Sequence, residues 1–227
     1  MVGRLPPGVT LSAAPKSLPP SASFENAVQA IIACGQRLEA RGLAAATSGN
    51  FSVRLPGERM AITVSGRHKG HLRPEDIMRV DLTGRVLEPQ KPSAETPLHL
   101  LLYRLYPRVN AVLHVHSVAT VVLSRHQPEA REIRLEGYEM LKAFPGIETH
   151  EAAIALPLFE NSQDIPALAR QVEARLLAHP GVPAYLIRGH GAYAWGIDLD
   201  EAERVVESLE HLLQCELETR RLQGAAR

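Results

Sequence analysis

Apolar residues recur at helical spacing at the start of the chain, at Phe24, Ala27, Val28, Ile31, Ile32 and Leu38. Ser23 stands where an N-cap belongs and Gly42 where a helix ends, so the pattern predicts a first helix between them. From Asn50 to Leu87 the period shortens. The runs FSVRL, MAITV, IMRVDL and RVLEP, broken by PGE, SGRHKG and LTG, predict an antiparallel meander. Thr96-Pro97 then opens a helix carrying Leu98, Leu101, Leu102 and Leu105, and the apolar strand AVLHVH follows. After a less regular middle come AAIALP, a helix from about Pro166 to Ala178, and the strands AYLIR and AYAWG paired around GHG. A long helix from Leu199 to about Leu222 closes the chain, with Asp198 and Glu201 as a capping box and Val205, Val206, Leu209, Leu212, Leu213 and Leu217 as its stripe.

Helices at both ends with strands between them predict a single-domain α/β/α sandwich around a mixed, mostly antiparallel sheet. No repeat or interior linker divides residues 23–227. Residues 1–22, rich in Pro, Ser and Ala, read as a disordered or loosely attached tail without the apolar segment of a signal peptide. No stretch approaches the roughly 18 apolar residues of a membrane span.

Charge narrows the choice of partner. Lys plus Arg and Asp plus Glu number 25 each, so nothing points to nucleic acid or an anionic membrane, and a small molecule fits better. The two cysteines, Cys34 and Cys215, both fall in helical patterns and read as reduced thiols of a cytoplasmic protein.

The candidate chemistry begins with His114 and His116. Residues two apart in a strand share a face, so the two imidazoles project together and suit Zn²⁺, which takes neutral His nitrogens. Most HxH pairs in arbitrary sequences are simply satisfied histidines. His190 changes the balance, because it sits between two glycines in a tight turn after an apolar strand and supplies a third ligand. The other seven histidines lie in surface-like contexts, His150 being the next to test. Two Ser-Gly turns, in ATSGNFSVR and TVSGRHKG, offer backbone N–H groups and hydroxyls for an anion, with Lys69 as a mobile cation nearby; neither is a nucleotide-binding loop. In KPSAET, Ser93 is a further donor, and Glu95 is either a reactive carboxylate or a helix-start residue favoured by the dipole. Glu136 and Glu139 fall in a short helical segment, and composition alone singles out neither.

In their order TSGN, SG, PSAE, HVHS and GHG, these segments resemble the class II aldolase/adducin family, over roughly residues 24–222. KPSAETPLH, YEMLKAF and LPLFENS are most similar to its dehydratase branch, which removes water from a methylthio-substituted ketose 1-phosphate in methionine salvage. The resemblance implies one zinc per subunit on His114, His116 and His190. It places an acid/base glutamate on Glu139 and the phosphate set on Ser48, Gly49, Asn50, Ser65, Gly66 and Ser93, with Lys69 matching a basic residue of that branch. Glu95 matches the acid/base residue of the family's aldolases, so its role stays open, and a zinc-dependent sugar-phosphate aldolase or epimerase is the alternative. A homotetramer with active sites near subunit contacts is also implied. A non-catalytic, adducin-like module is disfavoured by retention of all three histidines.

Overall fold

The computed structural model describes residues 23–225, the side chain of residue 225 excepted, and the tail expected over residues 1–22 lies outside them. Eight strands form one sheet: β1 (Asn50–Leu55), β2 (Arg59–Thr63), β3 (Ile77–Asp81), β4 (Ala111–Val115), β5 (Glu132–Glu136), β6 (Ala153–Phe159), β7 (Ala184–Ile187) and β8 (Gly191–Gly196). Their order is β3-β2-β1-β4-β8-β7-β6-β5, and only β6 and β7 pair in parallel. The expected mixed, mostly antiparallel sheet is therefore present, and β7 and β8 form the expected hairpin.

Helices cover both faces: α1 (Phe24–Ala40), α2 (Thr96–Leu105), α3 (Val118–His126), α4 (Ile165–Ala178) and α5 (Leu199–Ala225). Strand alternation sends side chains into two separate cores. Phe51, Val53, Leu113 and Val115 face one built with α1, α3 and α5; Val112, Tyr185, Tyr193 and Trp195 face another built with α2 and α4. This two-sided burial is why every position of β4, β7 and β8 is buried. Salt bridges from Arg37 to Glu203 and from Arg41 to Glu207 join α1 to α5.

The caps explain several boundaries. Ser23 accepts from Asn26 N at 3.2 Å, and Asp198 accepts from Glu201 N at 2.8 Å. Three expectations are revised. RVLEP adds no fourth meander strand, because only Val86 bridges to Val80 while Glu88 turns its carboxylate to Arg79. The less regular middle holds α3, a nine-residue helix capped by Ser117, and β5, whose alternate residues Ile133 and Leu135 are buried. Finally, α2 has Glu95 at its N-cap position, but the carboxylate makes no capping bond.

Candidate metal centre

His114, His116 and His190 meet at the junction of β4 with the β7–β8 turn, each offering a nitrogen within 4.8 Å of the others. Strand β4 ends at Val115, and a parallel bridge from Ala44 with a bond from His116 N to Leu43 O carries its direction on to His116. Gly191 brings β8 close beneath the pair. A Cβ there would collide with the Val115 carbonyl oxygen and stand 3.0 Å from His114 Cε1 and 3.1 Å from His116 Cδ2. Arg188 fixes the turn, donating to the carbonyls of Ser124, Gln127 and Ala130.

Hydrogen bonds assign the proton positions. His114 Nδ1 donates to Ala192 O at 3.0 Å, and His190 Nδ1 donates to Asn161 Oδ1 at 3.2 Å, so both Nε2 atoms carry bare lone pairs. His116 Nε2 lies 2.9 Å from His114 Nε2. Burial, reinforced by the neighbouring imidazoles, holds His114 well below the usual histidine range and His116 at about 4, so both rings are neutral at physiological pH. Glu95 completes the cluster, with Oε2 3.4 Å from His114 Nε2 and Oε1 3.3 Å from His190 Nε2. Oε1 is buried without a hydrogen-bond donor. Lone pairs and a carboxylate thus converge with too few protons among them, an arrangement suited to a cation.

The other expected site residues divide. Lys69 is not a mobile surface cation. It is 1 % exposed, and its Nζ donates to Thr47 O at 3.0 Å and Arg67 O at 2.6 Å, tying the two Ser-Gly loops together. Burial pushes its pKa down to about 8. The loop ahead of β1 takes left-handed backbone at Ala46 and Gly49, and at Gly49 a side chain would strike the His114 carbonyl; Ser48 Oγ is buried without a partner. Ser65 and Gly66 are exposed in the second loop, and Ser65 N is already bonded to Lys91 O. Asn50 is committed within the protein: its Nδ2 donates to Glu95 Oε2 at 2.8 Å and to Ser93 Oγ at 3.3 Å.

Glu139 stands apart. It opens a 3₁₀ turn, Glu139–Ala143, with a side chain 71 % exposed, paired to Lys142 and lying 3.7 Å from His150. The Lys142 hydrogen bond lowers its pKa, and no apolar wall surrounds the carboxylate, because Met140 is exposed and Leu141 and Phe144 turn into the core. No hydrogen bond or ion pair joins it to the histidine cluster among the described residues. Two residues escaped the sequence reading. His99, grouped there with surface histidines, is fully buried, although its place on the apolar stripe of α2 could have shown this. Asn161 orients His190 and, with His116, Val118 and Val122, borders an open groove of ≈ 520 Å³ beside the cluster.

The chain belongs to the class II aldolase/adducin family: the model of the class II aldolase and adducin N-terminal domain matches residues 29–217. It is an enzyme, a lyase of that family. A methylthioribulose-1-phosphate dehydratase of Methylococcus capsulatus is 54% identical over 197 residues, which is 87% of this chain and 95% of that one. One from Marinobacter nauticus is 50% identical over 200 residues, 88% and 96% of the two chains. Among solved structures, L-fuculose-1-phosphate aldolase from Thermus thermophilus superposes with a TM-score of 0.72 at 31% identity, covering 89% of this chain and 99% of the aldolase.

Proposed function

We propose that the chain dehydrates 5-methylthioribulose 1-phosphate to 2,3-diketo-5-methylthiopentyl 1-phosphate, in methionine salvage and in the cytoplasm. The observation that carries this reading is the three-histidine cluster with Glu95 against it, in a chain about half identical to dehydratases of that name. The catalytic domain runs over residues 23–227. No helix among the described residues is long and apolar enough to cross a membrane.

His114, His116 and His190 would hold the zinc, one per subunit, as neutral nitrogen ligands. When bound, zinc supplies positive charge that acidifies the carbon beside the substrate's carbonyl. Ser48, Gly49, Ser65, Gly66 and Ser93 face the phosphate with hydroxyls and backbone, and Lys69 adds charge from below. Asn50 serves that set indirectly, by holding Ser93 and Glu95. Glu95 orients the substrate's hydroxyls beside the histidines. Glu139 takes the C3 proton and delivers one to the C4 hydroxyl, which leaves as water; the enol then tautomerises to the diketone. Its exposure fits delivery into the site of a neighbouring subunit in a homotetramer.

A coupled assay with methylthioribulose 1-phosphate, following diketone absorbance, tests the reaction. The second reading, a sugar-phosphate aldolase, draws on the position of Glu95 and the likeness to the Thermus aldolase. It predicts cleavage between C3 and C4, so release of dihydroxyacetone phosphate in place of the diketone would select it.

A further inference from the structure

Behind Glu95 and Asn50 runs a line of buried polar groups to which the proposed reaction gives no part. His99, on α2, is fully buried and uses both ring nitrogens: Nε2 meets Asn50 Oδ1, and Nδ1 lies 2.7 Å from Ser52 Oγ. Ser52 Oγ in turn lies 2.8 Å from the Tyr103 hydroxyl. Asn50 and Ser52 point from β1 to the face that carries His114, their cross-strand partners on β4 being His114 and Val112. The line therefore reads Tyr103, Ser52, His99, Asn50, Glu95, and it ends at the histidine cluster.

Its direction follows from the charged end. A carboxylate beside the amide can only accept, so Asn50 must turn its NH₂ to Glu95 and its carbonyl oxygen to His99. That oxygen needs a donor, so the single proton of neutral His99 sits on Nε2. Bare Nδ1 then requires the Ser52 hydroxyl to donate, and Ser52 Oγ accepts from Tyr103. Each group can play only one part once the carboxylate is ionised. Burial, which brings His99 down to about 3, keeps the ring in the one-proton form this pattern needs.

We propose that His99 is a positioning residue for Glu95: locked as the Nε2–H tautomer by Ser52, it fixes the Asn50 carboxamide and through it holds Glu95 Oε2 at the histidine cluster. Without the ring's donor the amide can rotate about its last torsion, present oxygen to oxygen, and release the carboxylate. Ser93 strengthens the arrangement, accepting from Asn50 Nδ2 and from Glu95 N at 3.2 Å, so side chain and backbone of Glu95 are held by the same pair. The inference rests on the reading above in that Glu95 works on the substrate, and it adds a residue whose nearest route to the substrate passes through two others.

The test compares His99→Phe, which fills the space without hydrogen bonds, with His99→Gln, whose amide can donate to Asn50 and accept from Ser52. In the zinc-loaded protein, His99→Phe is expected to lower kcat about 10–100-fold, the usual range for a residue that orients a reacting group. Bound zinc stays near wild type, and His99→Gln recovers most of the loss. Wild-type kcat in His99→Phe, or a Gln variant no better than Phe, overturns the proposal. ¹⁵N NMR of histidine-labelled wild-type protein decides the direction of the line even if His99→Phe fails to fold. A pyrrole-like Nε2 and a pyridine-like Nδ1 at His99 are expected, and the opposite tautomer overturns it. That measurement needs neither substrate nor turnover, so loss of the dehydratase reading and loss of this one are told apart.

Discussion

His114 Nε2 and His116 Nε2 face each other across 2.9 Å, with Glu95 Oε2 3.4 Å from the first of them. Because His114 Nδ1 is committed to Ala192 O, its Nε2 can only accept, and the space between the rings lacks positive charge. Replacing His114, His116 or His190 with Ala is expected to reduce bound zinc well below one equivalent and to abolish turnover. Metal analysis of the purified variants checks this, and full occupancy in His190→Ala would remove that residue from the set.

The close approach of β8 to β4 makes a second prediction. Gly191→Ala forces a methyl group into the Val115 carbonyl and against both imidazoles. Overpacking of this kind costs about 1–3 kcal/mol. The melting temperature should fall, and zinc affinity should fall with it, since the same contact sets the spacing of the ligands. Gly224→Ala, in α5, is the control, because its added Cβ meets nothing within 4 Å and its backbone is helical.

Much of this architecture is legible in the sequence because its signals are local. The stripes of α1 and α5 and the hairpin around His190 follow from spacing, Gly and caps. Helix α3 does not, since Val118, Val121 and Val122 dilute its helical preference and it is held by tertiary contacts. Ala119 and Leu123 are buried, and Ser117 and Thr120 both bond the buried Glu210 of α5. At the site, residue type and spacing mark the three histidines, but environment is invisible to them. Nothing in GRHKGH says that Lys69 is buried beneath two loops, and nothing in PSAET says that Glu95 declines to cap α2 and turns to the histidines. The exposure of Glu139 is equally non-local.

If Lys69 contacts the substrate's phosphate as proposed, its burial makes substrate binding sensitive to pH. The ammonium is charged below about 8 and loses its proton as pH rises through that value, while an exposed lysine stays charged to above 10. A phosphate ester is already a dianion over this range. KM should therefore rise between pH 7 and pH 9, and Lys69→Met should show a high, flat KM. The folded state has the lower pKa, so the unfolded chain holds more protons between about 8 and 10.5; this group's contribution to stability improves as pH rises through that window. A KM that is flat in the wild type would separate Lys69 from the phosphate.

Glu139 gives the most exacting prediction, because its exposure in this chain fits its proposed role best if it acts in an assembly. It is ionised and exposed, paired to Lys142 on a turn that no hydrogen bond or ion pair joins to the histidines among the described residues, so it is ready to accept a proton. Glu139→Gln keeps the size and polarity of the side chain and removes the base. It should retain zinc and fold while losing on the order of 10²-fold or more in dehydration. Co-expression then tests where the base acts. A His116→Ala subunit lacks a metal ligand but carries an intact Glu139, and a Glu139→Gln subunit has the converse defect. If Glu139 reaches a neighbour's histidines, mixed tetramers contain sites with both parts intact, and activity should rise far above that of either variant alone. If Glu139 serves its own subunit, every site in the mixture stays defective and no activity returns. Light scattering of the mixed sample checks the proposed tetramer, and silence reports the position of Glu139 only where mixed tetramers are seen.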